Sequence, residues 1–455
     1  MSDGQNANFC IEGDLPAADA EGKDYFRING TITALRTTQG AWRLVPLSRR
    51  LAILRRFRRR LWKAVPELLG LIPDHAALDV LTAEVLPLIA ASRFLTREAR
   101  EILSTRSLSL LQRPLWLFGV SSKVKRVPLG VVLILAPGNY PLMLAGVQAL
   151  QAIIAGNVVA LKPAPGRTAL LARFVSLLEE AGLPRGVIRL IDEEAGPAAS
   201  AAAVDLIVLT GSARTGRAVA QAAAQRMTPT IMELSGSDPV FVLPTASLAI
   251  VARALHFGLT LKSGHTCIAP RRVFVPRTLI PALRAEMDTV FGGPLTPLRS
   301  SQIDAVEELA QRVRDAGGST TRYMAATIFF LEPAQAKLAD LDLFAPWLAI
   351  IGVDSVAQAI ALERDSVHAL GASIFGDERE ALTVARSIAA GTICINDVIV
   401  PSADPRLPFG GARSSGWGVT RGREGLLSMT RPVSVSVRRR AALHLLPWVR
   451  ARHRK

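Results

Sequence analysis

Cysteine is scarce in this chain of 455 residues, with only Cys10, Cys267 and Cys394. An odd number so widely spaced supports neither a disulfide framework nor a metal-binding cluster, and a reducing cytoplasm is the simplest compartment. No apolar signal core accompanies Asp3, Glu12, Asp14 and Asp19, so a secretory leader is not expected. Internal repeats and low-complexity linkers are absent. Charge is missing altogether from residues 127–161. That length suits a membrane span, but Pro128, Gly130, Pro137, Gly138, Asn139 and Pro141 interrupt it and would leave backbone groups unpaired in lipid. A buried strand, a tight turn and a buried helix are expected there.

Acidic residues are also short, 38 Asp and Glu against 54 Lys and Arg, for a formal charge of +16. Much of the excess lies at 49–63 and 431–455. In the first stretch Leu51, Leu54, Phe57 and Leu61 recur on one side of a helical pattern, which leaves the arginines as a solvated face and not a nucleic-acid stripe. The basic tail, residues 439–455, alternates Arg and Lys with an apolar run that includes Trp448. Such an end either rests peripherally on an anionic membrane surface or frays.

What is present is apolar: 49% of the residues, with a mean hydropathy of +0.29. A chain of this size and composition folds into two or more domains. Residues 1–45 read as a mixed N-terminal segment with Asn29-Gly30 and Gln39-Gly40 as breakers. Helical spacing runs from Leu47 to Arg106, broken near Pro66 and Pro73. Strand and helix signals then alternate. Val131–Leu135, Val158–Leu161, Val187–Ile191 and Leu206–Leu209 read as strands, with helices at Leu142–Ala155 and Leu170–Ala181. That rhythm implies α/β architecture with a doubly wound parallel sheet, whose ligands sit at the carboxyl ends of its strands. A second mixed region spans 240–409. The alternation of Val433–Val437 suits an edge strand, as does the looser pattern of Trp116–Val127.

Gly211, Ser212 and Gly216 follow a strand and open a helix at 217–224, where free N–H groups suit a pyrophosphate. A plain glycine turn has the same spacing. Lys162, at a strand end, suits a ribose hydroxyl or a phosphate, and equally a surface position. Cys267, in Gly264-His-Thr-Cys267, is a candidate nucleophile, and Glu233, in Glu233-Leu-Ser-Gly236, a candidate base. Taken alone, each has a structural role available, as a core thiol or an element-edge carboxylate. Asn139, in a turn before Tyr140-Pro141, completes a polar trio.

Seven motifs in order carry a resemblance: Gly138-Asn-Tyr-Pro141, Gly156-Asn…Leu161-Lys-Pro163, Thr210-Gly-Ser212, Glu233-Leu-Ser-Gly236, Gly264-His-Thr-Cys267, Ile395-Asn-Asp397 and Leu407-Pro-Phe-Gly-Gly411…Ser415-Gly416. From residue 42 to 438 the chain resembles the aldehyde dehydrogenase superfamily, most of all its class 3 and fatty-aldehyde members. The resemblance implies an NAD(P)-binding domain at 46–234, a catalytic domain at 235–412 and a small β oligomerisation arm from strands at 116–127 and 430–438. It further implies that Cys267 attacks the aldehyde carbon, that the Asn139 amide and the Cys267 N–H hold the oxyanion, and that Glu233 activates the water that hydrolyses the thioester. NAD or NADP is the implied cofactor, held by Pro137, Lys162, Gly211, Ser212, Gly216, Leu234, Asp342 and Phe344. No metal is implied.

The chain departs from the family at several points. His265 stands for Gln, where it would either bias the thiolate or serve as a hydrogen-bonded structural residue. Ser235 stands for Gly. Asp342-Leu-Phe-Ala-Pro346 replaces Glu-x-Phe-Gly-Pro, and Asp is one methylene shorter. Pro165 replaces the acid that often holds the adenosine 2′-hydroxyl, which opens NADP use through Arg167 or Arg214. The expected activity is oxidation of an aldehyde to an acid in a homodimer or homotetramer. Acyl transfer to coenzyme A and a catalytically silent scaffold are the alternatives.

Overall fold

The uncharged run folds as strand, turn, helix and strand, and it forms the centre of a six-stranded sheet. The computed structural model describes residues 20–292, 300–324 and 326–439. In it, Val131–Leu135 is buried at every position and lies between Val158–Lys162 and Leu206–Gly211, parallel to both. Ile188–Leu190 and Thr230–Leu234 extend the sheet in parallel on either side. Neighbouring strands thus lead away in opposite directions from Val131–Leu135, which makes a crevice at their carboxyl ends. The helix Met143–Ala155 is buried along its whole length. No helix among the described residues is long and apolar enough to cross a membrane.

The N-terminal region differs from its turn-rich reading. Ala20–Trp42 is one helix that runs through Asn29-Gly30 and Gln39-Gly40. Ile28, Ile32, Leu35 and Trp42 are buried in the same core as the sheet. Each such side chain contributes about 1.5–3 kcal/mol, which outweighs the roughly 1 kcal/mol helix penalty of a glycine. The basic helix Leu47–Lys63 buries its expected apolar face, but its arginines are not all solvated. Arg50 donates to the Ile154 carbonyl and Arg56 to the Ala181 carbonyl, both at 2.6 Å, closing the C-terminal ends of two helices. Cys10 and the basic tail from residue 440 lie outside the described residues.

A second sheet of seven strands runs, across its width, Ser319–Arg322, Thr327–Leu331, Trp347–Val353, Pro270–Pro276, Asp238–Val242, Gly371–Phe375 and Thr392–Ile395. It is parallel except at its first strand. A third, three-stranded sheet pairs Val120–Pro128 with Thr430–Arg438 along their full length, from Val120↔Arg438 to Pro128↔Thr430. The first of these strands starts four residues later than its expected onset at Trp116, because Leu115–Leu117 is a 3-10 turn. One more return of the chain matters for the site. Gly416–Trp417 pairs antiparallel with Thr230–Leu234, with Gly416 opposite Glu233.

Candidate active site

Strand ends and the turns that follow them build a cleft of ≈ 1070 Å³ at the sheet's crevice. Pro137, Asn139, Lys162, Gly211, Ser212, Glu233, Leu234, Cys267 and Phe344 all line it, so most of the candidate residues converge on one space. Ser212 caps the helix Ala213–Ala224, its hydroxyl accepting from the Thr215 amide at 3.2 Å. This helix begins four residues before its expected start at Arg217, because that cap satisfies one of its free amides. Gly216 is not on the wall. A β-carbon there would stand 2.6 Å from Leu234 Cδ1, so the glycine lets the helix lie close against the strand beneath it.

Burial lowers the Lys162 pKa, while Glu194, Glu193 and Asp192 oppose the shift. The helix amide end and a nearby cation are the donor set that a dinucleotide pyrophosphate and ribose require, so these residues fit the implied cofactor. Arg167 and Arg214 also line the cleft. Arg167 is tied to Asp74 at 2.5 Å, whereas Arg214 is exposed and has no ion pair among the described residues.

Asp342 stands outside the set of cleft-lining residues. Its Oδ2 accepts a short hydrogen bond from the Ser235 hydroxyl, and Ser235 does line the cleft. Two departures from the family pattern are therefore each other's partner. Phe344 lies against His265, with ring centroids 6.2 Å apart and planes at 14°. His265 Nδ1 contacts the Lys262 carbonyl at 2.9 Å and its Nε2 contacts Gln302 at 3.2 Å, as expected of a hydrogen-bonded structural residue.

A second cavity, of ≈ 370 Å³, opens on the other side of Cys267. Its walls are mostly apolar, with Leu78, Met143, Leu144, Phe257, Ile399 and Phe409 among them. Of the described residues only Glu233 and Cys267 line both spaces. The pair therefore sits at the junction.

The two side chains are electrostatically loaded. Burial raises the Glu233 pKa, against the opposing effects of Arg421 and a hydrogen bond from Thr420 to Oε2 at 2.8 Å. Its Oε1 is buried with no hydrogen-bond partner among the described residues. A carboxylate raised in this way is a better proton acceptor near neutral pH. Burial also pushes the Cys267 thiol up, Glu233 and Asp238 push it further, and Arg421 counters them. Asn139 donates from Nδ2 to the His265 carbonyl at 3.1 Å and accepts at Oδ1 from the Tyr140 amide at 2.9 Å.

A buried ion pair supports this turn, and sequence reading missed it. Lys262 Nζ meets Glu84 Oε1 at 2.5 Å, both side chains being fully buried. Lys262 also donates to the Asn139 carbonyl and lies 4.1 Å over the Tyr140 ring. Glu84 Oε2 accepts from the Leu142 and Met143 amides at 3.2 and 2.7 Å, at the start of the buried helix. The available signal was the lone charge of Lys262 between Leu261 and Cys267. Glu84, Thr420 and Arg421 carried none, because their roles come from contacts across long stretches of chain.

The Aldehyde dehydrogenase family model matches residues 15–435. The chain is 29% identical over 432 residues to the 4,4′-diapolycopene aldehyde oxidase of a Methylomonas species, covering 90% of this chain and 81% of that one. It is 31% identical over 329 residues to the 4,4′-diapolycopene-4,4′-dial dehydrogenase of Cytobacillus firmus, with 68% and 72% covered. Among solved structures, a salicylaldehyde dehydrogenase from Pseudomonas putida complexed with salicylaldehyde superposes with a TM-score of 0.86 at 22% identity, covering 93% and 92%. An aldehyde dehydrogenase from Mycobacterium tuberculosis complexed with NAD+ gives 0.84 at 24%, covering 93% and 92%.

Proposed function

This chain belongs to the aldehyde dehydrogenase family and oxidises aldehydes with NAD or NADP; from that premise we propose that Cys267, Glu233 and Asn139 carry the chemistry and that the substrate is an apolar aldehyde. The observation that carries this reading is the junction. Cys267 and Glu233 are the two residues common to a cleft fitted to a dinucleotide and an apolar cavity fitted to an aldehyde chain. Cys267 Sγ bonds the aldehyde carbon, and the Asn139 amide and the Cys267 N–H meet the oxyanion. One such donor is worth about 3–4 kcal/mol. Asn139 has a second amide hydrogen beyond the one given to His265. The dinucleotide, when bound, supplies the two-electron acceptor. Cys267 then holds the acyl group as a thioester, and Glu233 takes a proton from the water that releases the acid and returns the thiol.

Lys162 and the Gly211–Ser212 turn are the groups for the dinucleotide, with Pro137, Leu234 and Phe344 along the same walls. The apolar cavity, and relatives named for 4,4′-diapolycopene aldehydes, favour a substrate on a long hydrocarbon chain. A water-activating carboxylate beside the thioester disfavours transfer to coenzyme A. NAD(P)H formation with a panel of aldehydes of rising chain length tests the reading. Turnover should favour long apolar aldehydes, be unchanged by coenzyme A and fall by about 10³-fold or more in C267A. In E233Q a first burst of NAD(P)H should persist while acid release slows by roughly 10²–10⁴-fold. A C267A enzyme that still turns over would refute the assignment.

The sheet of Val120–Pro128 and Thr430–Arg438 supports a homodimer or homotetramer. Leu111, Leu115 and Trp116 near it are 97%, 89% and 71% exposed. Such apolar exposure marks an interaction surface. A monomer by light scattering would overturn this assembly.

A further inference from the structure

Arg421 is a buried guanidinium in the aldehyde-side cavity, 7% exposed, and no motif of the chain accounts for it. Its backbone is held at φ 60°, a left-handed conformation that L side chains seldom adopt without a compensating role. The reason is local. Phe409 and Thr420 exchange backbone hydrogen bonds at 2.8 and 2.7 Å, which carries the Arg421 guanidinium over the Phe409 ring, 3.9 Å from its centroid. Nη1 donates to the Ser402 carbonyl at 3.1 Å, and Nε is buried with no partner among the described residues. Glu233 lines the same cavity, and its Oε1 is also buried with no hydrogen-bond partner among the described residues. Two opposite charges and Cys267 thus line one small apolar space, and each charge carries an atom with no partner among the described residues. Burying such charges is costly, and an opposite charge in the same apolar space offsets part of that cost.

We propose that Arg421 is a positioning residue for the aldehyde oxidation, the fixed counter-charge that holds Cys267 ready to ionise and Glu233 as a carboxylate. The proposal rests on the assignment of Cys267 as nucleophile and Glu233 as base. The neighbouring charges leave Arg421 as the cation for this pair. Glu233 and Asp238 disfavour the thiolate, and Arg421 is the side chain that favours it. Asp238 itself faces Arg272 and Arg271. Lys262 is paired with Glu84, and Asp79 accepts from the Lys262 amide at 2.9 Å. Tyr140 has its ring against Lys262 and its hydroxyl on Thr266 at 2.7 Å. His75 and His265 lie on the dinucleotide side.

The test follows alkylation of Cys267 by iodoacetamide against pH in the cofactor-free enzyme, read on the Cys267 peptide by mass spectrometry. Since the thiolate is the reacting form, R421Q and R421M should each shift the profile up by about one pH unit or more, a roughly tenfold slower reaction at a fixed pH below the midpoint. R421K should recover most of the shift, and NAD(P) affinity measured by fluorescence quenching should stay as in the parent. Thermal unfolding of each variant is recorded first, and two charge-deleting variants are used so that one misfolded protein does not decide the outcome. A folded R421Q or R421M with the parent's profile, or an R421K that behaves like them, would overturn the proposal. C267A run in parallel separates the failures. If it turns over aldehyde, the nucleophile assignment falls. If it is inert while the profiles coincide, only the role of Arg421 falls.

Discussion

The dinucleotide cleft and the aldehyde cavity meet at Cys267 and Glu233 but are built in opposite ways. The cleft comes from short strand–turn–helix units, in which Lys162 and Gly211 are the last residues of their strands and Ser212 is the residue that follows one. The cavity gathers Leu78, Phe257, Ile399 and Arg421 from remote parts of the chain. A local unit can be recognised by its spacing, because the turn needs particular residues. An assembled wall requires only that apolar side chains fill it, which many sequences satisfy. The cofactor side is thus the half fixed by local spacing and the aldehyde side the half fixed by packing.

The sharpest way to break this contrast is to loosen the turn between the two halves, with Asn139 on the cleft and Tyr140 on the cavity. Glu84 and Lys262 brace the Asn139 turn between them, so E84Q leaves a fully buried ammonium without its counter-charge. Urea unfolding should register a loss of about 3–5 kcal/mol. E84Q/K262M should recover part of it, since an apolar pair carries no stranded charge. Turnover of whatever E84Q protein folds should drop with both substrates saturating, because the oxyanion donor loosens. Unchanged stability would mean that the pair contributes nothing.

A smaller change should touch the cleft alone. D342E adds a methylene against the Ser235 hydroxyl that now holds the carboxylate. The KM for NAD(P) should rise several-fold, with that for the aldehyde unmoved, and S235G/D342E should restore it. A coupling of about 1 kcal/mol between the two positions is expected, and strictly additive effects would show that they are not a unit.

The smallest effect is a pH slope at His75, on the cleft wall. Burial, with Lys262 and His265 adding to it, lowers its pKa from 6.5 to about 4. Between those values the unfolded chain binds the extra proton, so this contribution to stability is complete above about 6.5 and is lost as pH falls toward about 4. H75N should flatten the dependence of the urea midpoint between pH 7 and 5. A slope identical to the parent's would assign the acid sensitivity elsewhere.

Much of this was legible beforehand. The uncharged run gave strand, turn and buried helix, since lipid could not satisfy its prolines and glycines. The ordered motifs indicated the fold, the cofactor class and the aldehyde chemistry. Asn29-Gly30 and Gln39-Gly40 misled, because local breaker preferences of about 1 kcal/mol yield to the burial of Ile28, Ile32, Leu35 and Trp42. The helical pattern makes Arg50 and Arg56 solvent-facing, whereas their partners are carbonyls at helix ends more than 100 residues away.

By itself the sequence determined the strand–turn–helix units, the order of the motifs and the presence of a thiol, a carboxylate and an amide suited to oxidising an aldehyde. Those follow from spacing over a few residues, where backbone geometry leaves little choice. Only the tertiary structure decided that Ser235 grips Asp342, that Lys262 is neutralised by Glu84, and that a returning edge strand brings Thr420 and Arg421 to Glu233. Fields and hydrogen bonds act through space over a few ångströms, and here that space is bridged by residues as many as 187 positions apart.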